Sequence, residues 1–190
     1  MPEEKSHLRL FISLDIPKGA KKEIMRLQQQ IKNLTPIKKG FIKEANIHLT
    51  LQFLGKIKAS QVETIKGLLQ DIKLAPFKAH LGTIGTFNPK RNLVKIVWLS
   101  LETQEIFTLQ QKISQALSPF IIKKEKCEFK SHITLARVKN AIKKEEVDKI
   151  FAKISLGDIE FVVNEFCLKQ SRPFESGAKY TTLKTFKFKQ

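Results

Sequence analysis

The stretch Ile47-His48-Leu49-Thr50-Leu51 recurs as Ser131-His132-Ile133-Thr134-Leu135, with the two histidines 84 residues apart (132 − 48). Both copies lie in β-forming surroundings. Side chains at i and i+2 of a strand share a face, with Cα atoms roughly 6.6 Å apart. Each copy therefore presents an imidazole and a hydroxyl on one face, while Leu49 with Leu51, and Ile133 with Leu135, turn to the other. If the two strands share one site, it receives two imidazoles and two hydroxyls. That set suits phosphate-ester chemistry without a metal. One imidazole can activate a water while the other protonates a leaving oxygen. An ordinary pKa of about 6.5 lets the pair hold one neutral and one charged member near neutrality. The hydroxyls of Thr50 and Thr134 can donate to non-bridging phosphate oxygens, where charge builds in the transition state. Arg137, five residues after His132, adds a charged donor suited to phosphate. Phe53, five residues after His48, falls on the core face by strict alternation. It becomes a candidate base-stacking platform only if the loop expected past the strand re-aims it.

One His-x-Thr in a strand is more economically a packed histidine. Two copies, each backed by apolar residues in a strongly basic chain, reverse that judgement. A zinc site would need further Cys, His or carboxylate ligands. None flanks either motif on the shared face, so no metal is expected. His7, read as lying before the first strand, and His80, which lacks Thr at i+2, are assigned to surface or packing roles. "GTIGTF" (Gly82 to Phe87) has the wrong glycine spacing for a phosphate loop.

The positioning elements follow from periodicity. Strands are predicted for Leu8–Ile16, Ile47–Gly55, the pair Phe77–Phe87 and Asn92–Leu101, Phe129–Val138, Ile159–Ser171 and Ala178–Phe188. The last two are taken to flank a loop "RPFESG". Helices are predicted for Ala20–Leu34, Ser60–Lys73, Thr103–Leu117 and Lys144–Ile154, with Ser60 as N-cap and Glu63 completing a capping box. Adjacent strand pairs among helices favour an α+β fold with antiparallel sheets over a parallel one. The repeated motif suggests two halves of similar build. With no linker-like segment, residues 1–190 read as one bilobal domain.

The composition narrows the partners. Lys+Arg total 35 against 18 Asp+Glu, a formal net charge of +17, which points to a polyanion and above all to nucleic acid. Only five of the basic residues are Arg (Arg9, Arg26, Arg91, Arg137 and Arg172), so each is worth placing. No apolar run approaches the roughly 20 residues of a membrane span. The acidic N-terminus with Asp15 in its first apolar run argues against an export signal. Cys127 and Cys167, without a C-x-x-C, read as reduced thiols of a cytoplasmic protein.

The paired motifs resemble those of the 2H phosphoesterase superfamily. "RLFISLDIP", "NIHLTLQFLG", "GTFNPKRNLVKIVWL", "SHITLARV" and "SRPFESGAKYTTL" together resemble the branch of RNA 2′,3′-cyclic phosphodiesterases, or 2′-5′ RNA ligases. One departure is Phe41, where relatives often carry Trp. The resemblance implies two pseudo-symmetric lobes around a central cleft, each an antiparallel sheet with helices outside. His48 would be the proton donor to the departing 3′ oxygen and His132 the acceptor that activates water. Thr50, Thr134 and Arg137 would hold the phosphate. It implies no cofactor, a monomer, and as partner an RNA ending in a 2′,3′-cyclic phosphate, tRNA fragments included, converted to a 2′-phosphate. Three alternatives stay open: 2′-5′ joining of tRNA halves, hydrolysis of small cyclic nucleotides, and RNA binding without catalysis.

Overall fold

The computed structural model describes residues 7–88, 92–121, 128–175 and 177–189. Among these residues, eight strands form one antiparallel sheet: β1 (His7–Asp15), β2 (His48–Lys58), β3 (Phe77–Phe87), β4 (Ile96–Glu102), β5 (His132–Arg137), β6 (Glu160–Val163), β7 (Glu165–Phe174) and β8 (Gly177–Lys187). Their order across the sheet is β6-β3-β4-β5-β2-β1-β7-β8. Among the described residues, four α-helices lie between strands: α1 (Lys18–Leu34), α2 (Val62–Gln70), α3 (Gln104–Ala116) and α4 (Lys144–Phe151).

The order divides at β5-β2 into two halves of four strands, joined at a single register pair, Leu49↔Ile133. Two units of like connectivity build the halves: β1-α1-β2-α2 and β4-α3-β5-α4. Each unit sends its next long strand to the other half. β3 follows the first unit but pairs with β4, and β7 follows the second but pairs with β1. The two expected lobes are therefore halves of one continuous sheet, interlocked by exchanged strands.

One apolar face of the sheet meets the helices. Leu10, Ile12 and Leu14 of β1, Leu49 and Leu51 of β2, and Ile133 and Leu135 of β5 are at most 2% exposed. Ile24, Leu27 and Ile31 recur at helical spacing along α1, as do Ile106, Leu109 and Ile113 along α3, and they join the same core. Thr35 closes α1, its hydroxyl donating to the Ile31 carbonyl at 2.7 Å, and Pro36 blocks another turn.

Three local expectations are corrected. Ser60 does not cap α2, because the chain leaves β2 through a 3-10 turn, Ala59–Gln61, and the position before the helix falls to Gln61. Glu63 instead pairs with Lys66 at 2.8 Å. The run Ile159–Ser171 is two strands split at Asn164, since β6 completes one half and β7 must cross to the other. "RPFESG" is mostly strand: β7 reaches Phe174, and β8 starts at Gly177 with φ +110°. Pro89, expected in the β3–β4 connection, lies outside the described residues, as do Arg91 and Cys127.

Candidate active site

The two motifs lie side by side on adjacent strands. Antiparallel pairing at Leu49↔Ile133 sets His48 across from Thr134, and Thr50 across from His132. The six residues of each strand from its histidine onward follow the same course. His and Thr are half-buried on the site face, Leu49 and Leu51 or Ile133 and Leu135 are buried on the other, and then Gln52 or Ala136 is also buried. That double burial marks a β-bulge. β1 skips Leu51 (Ile12↔Gln52, Ser13↔Thr50), and β4 skips Leu135 (Val97↔Ala136, Trp98↔Thr134). One extra residue reverses the alternation. Phe53 and Arg137, at the same distance from their histidines, both emerge exposed on the site face. A bulge within a continuous strand thus re-aims Phe53; the loop expected to do so does not exist, because β2 runs on to Lys58.

The histidines are held alike. His48 Nδ1 lies 2.7 Å from the Asn46 carbonyl, and His132 Nδ1 lies 2.7 Å from the Lys130 carbonyl. A carbonyl only accepts, so Nδ1 carries the proton in both rings. The neutral rings therefore present Nε2 as the basic nitrogen. His48 Nε2 lies 3.0 Å from Thr50 Oγ1, whose hydroxyl donates to it in that state. Each imidazole also meets an aromatic ring edge-on: Tyr180 for His48, with centroids 5.1 Å apart, and Phe87 for His132, 5.0 Å apart.

The halves differ in what surrounds this matched frame. Beside His48, Phe11 stands 5.2 Å away and reaches Phe53 at 6.2 Å. Phe53 is 56% exposed. Asp15 is the cross-strand neighbour of His48 and accepts a 2.5 Å bond from the buried Lys169 ammonium. Beside His132, the neighbour is Ser100, which donates to Glu102 at 2.8 Å. Trp98 packs against Phe87 with centroids 5.4 Å apart, and the Lys130 ammonium lies 4.7 Å above its ring. "GTIGTF" serves this packing: a Cβ at Gly82 would meet the Glu102 carboxylate, and one at Gly85 the Trp98 indole.

Electrostatics act strongly on His48. Burial pushes the His48 pKa down to about 4, and the cations Lys169 and Lys21 add to the effect. The Asn46 carbonyl and Asp15 oppose it only in part. In the free protein at neutral pH, His48 is therefore uncharged.

The structure brings His48, Thr50, Phe53, His132, Thr134 and Arg137 onto one face around the seam. His7 opens β1 rather than preceding it, and it is exposed. His80 stands outside the site, 3.2 Å from Glu160 and 3.5 Å from Asp158. Cys167 is a buried thiol whose pKa burial raises. Among the described residues, no group of three or more His, Cys, Asp or Glu could hold a metal ion. Sequence reasoning missed Phe11, Asp15, Phe87, Trp98, Lys130, Lys169 and Tyr180. Two of these carry a signal in hindsight, since Asp15 and Lys169 are charges inside the β-forming runs "LFISLDI" and "EFCLKQS".

Comparison with known proteins agrees with this architecture. The family model described as LigT like Phosphoesterase matches twice, over residues 14–98 and 97–180, one match for each histidine motif. The chain is 31% identical over 178 residues to the RNA 2′,3′-cyclic phosphodiesterase of Methanocaldococcus jannaschii, covering 93% of this chain and 99% of the relative. It is 28% identical over 183 residues to the enzyme of the same name from Archaeoglobus fulgidus, covering 94% and 99%. In fold it is similar to a crystal structure of a Thermus thermophilus protein, with TM-score 0.81, 23% identity and coverage of 95% and 98%. It is also similar to E. coli LigT in complex with 3′-AMP, with TM-score 0.78, 22% identity and coverage of 97% and 100%. Two family matches that together span both motifs, on a sheet of the same fold, establish that the chain belongs to the LigT-like phosphoesterase family.

Proposed function

We propose that the protein hydrolyses RNA ends bearing a 2′,3′-cyclic phosphate, tRNA fragments among them, to 2′-phosphates in the cytoplasm. One observation carries this reading: two imidazoles on adjacent strands share one tautomer and one face, with a threonine beside each. The names of the M. jannaschii and A. fulgidus relatives supply the substrate class.

In this reading water attacks phosphorus and the P–O3′ bond breaks. His132 Nε2 takes the water proton, and His48 Nε2–H gives its proton to O3′. Proton exchange with solvent then restores the pair. Thr50, Thr134 and Arg137 donate to the non-bridging oxygens, which concentrates donors where charge develops. Phe53 stacks on the terminal base. His48 is neutral in the free protein, so it takes up its proton from solvent as the anionic substrate binds. A phosphate anion beside Nε2 favours the imidazolium, against the burial that chiefly keeps the ring uncharged and the repulsion from Lys169 and Lys21 that adds to it. No step calls on a metal.

The test is a short RNA ending in 2′,3′-cyclic phosphate, with the position of the product phosphate read by ³¹P NMR. The expected product is the 2′-phosphate, formed equally in EDTA. His48→Ala and His132→Ala should each lose on the order of 10²–10⁴ in rate while staying folded. Wild-type turnover by either variant refutes the assignment. RNA binding without turnover by the wild type points to the non-catalytic alternative. Faster turnover of a mononucleotide than of an oligonucleotide redirects the substrate class.

A further inference from the structure

Arg137 reaches the site face only because β5 bulges at Leu135; without the extra residue it would share the core face with Ile133 and Leu135. A bulge leaves backbone groups off the ladder, and these are answered from outside the sheet. β4 lies along one side of β5. On the other side, β2 pairs only at Leu49↔Ile133, and past that point residues 40–42, from the loop between α1 and β2, take its place. The Arg137 amide donates to the Gly40 carbonyl at 2.8 Å, and the Ile42 amide donates to the Leu135 carbonyl at 2.8 Å. Phe41 bridges to Ala136 between them. Gly40 sits at φ +87°, and a Cβ there would run into the Arg137 carbonyl oxygen.

Gln28 completes the arrangement. It lies on the apolar face of α1, 4% exposed. Its Nε2 donates to the Leu135 carbonyl at 2.9 Å and to the Ile42 carbonyl at 3.0 Å. The bulge carbonyl thus accepts two bonds, one from the loop and one from the helix, and a single side-chain amide ties loop to strand. A buried Gln amid apolar residues is costly unless both N–H groups are used, and here both are.

We infer that Gln28, 107 residues from Leu135 in sequence, is a positioning residue: with residues 40–42 it holds the β5 bulge that turns Arg137 toward the phosphate. This rests on the role given to Arg137 above. Gln28→Leu removes both donors, leaving the Leu135 carbonyl with the Ile42 amide alone and the part-buried Ile42 carbonyl without the Gln28 amide.

The test compares wild type, Gln28→Leu, Arg137→Ala and the double variant on the cyclic-phosphate oligonucleotide, with amide hydrogen exchange in parallel. Gln28→Leu should lower kcat/KM on the order of 10-fold or more, the scale of a small misplacement of a binding group. In the Arg137→Ala background the same change should have little further effect. Exchange should quicken at Arg137, while β1–β7 amides keep their protection. An equal loss in both backgrounds, or unchanged exchange at Arg137, overturns the inference. If Arg137→Ala retains full activity while exchange at Arg137 still quickens in Gln28→Leu, the role of Arg137 fails and the strut stands. Should Gln28→Leu not fold, Gly40→Ala applies the same cycle from the loop side, with the same outcomes deciding.

Discussion

Acidifying the protein from pH 7 should destabilise it through His48. Above the ordinary histidine pKa of about 6.5, the ring is neutral in both folded and unfolded chains and contributes no pH dependence. Below it the unfolded chain takes up a proton. The folded chain refuses it until about pH 4, because burial, Lys169 and Lys21 disfavour the imidazolium. Stability therefore falls with pH across that window, by up to about 1.4 kcal/mol for each pH unit, and levels off below it. The whole window is worth about 3 kcal/mol, and about 2.5 kcal/mol is already lost at about pH 4.5. His48→Gln has no titrating ring and should lack this component. Urea unfolding of both proteins at about pH 7 and about pH 4.5 isolates it as a difference of differences, with other titrating groups common to both. Equal pH dependence in the two proteins refutes the argument that the fold excludes a proton from His48. The same reasoning predicts that inorganic phosphate raises the His48 pKa, read from the ring protons by NMR.

Three further outcomes follow from the asymmetric surroundings. Lys169→Met removes a cation that disfavours the His48 proton and leaves Asp15 without its partner, so the His48 pKa should rise; an unchanged or lower value contradicts the ordering of causes. Gly85→Ala forces the Trp98 indole aside, costs about 1–3 kcal/mol by overpacking, and should shift the emission of the chain's single tryptophan together with kcat; an unaltered spectrum removes Gly85 from the site. Phe53→Ala should leave stability nearly unchanged because the ring is 56% exposed. It should raise KM for the oligonucleotide by the ~1–3 kcal/mol of one base stack, and an unchanged KM denies the stacking role.

Much of this was legible because strand chemistry is periodic. The repeat of His and Thr at i and i+2 predicted the shared face, and the leucines and isoleucines between them predicted the buried one. The runs of β3 and α3 were readable from composition to within a residue or two. What resisted reading has a common cause: it depends on partners far away in sequence. The bulges at Leu51 and Leu135 are visible only against β1 and β4, yet they decide where Phe53 and Arg137 point. The break at Asn164 follows from a strand that must cross between halves. Asp15 reads locally as a polar interruption, and becomes a partner of His48 only once β1 lies against β2.

The exchange of β3 and β7 bears on how the site can work. Were each half to keep its own strands, Leu49↔Ile133 would be the one register pair between the strands of the two halves. Instead β7, from the second unit, places Lys169 beside His48, while β3, from the first unit, places Phe87 beside His132. Each histidine is thus conditioned by a strand of the other unit. The two motifs are alike in tautomer, bulge and burial, and the difference that the proposed acid and base roles require comes from what surrounds them. One half receives the Asp15–Lys169 pair and an exposed phenyl ring; the other receives Ser100, a packed Trp98 and Arg137. Duplication explains why the site has two of everything, and strand exchange supplies the chemical difference between the copies.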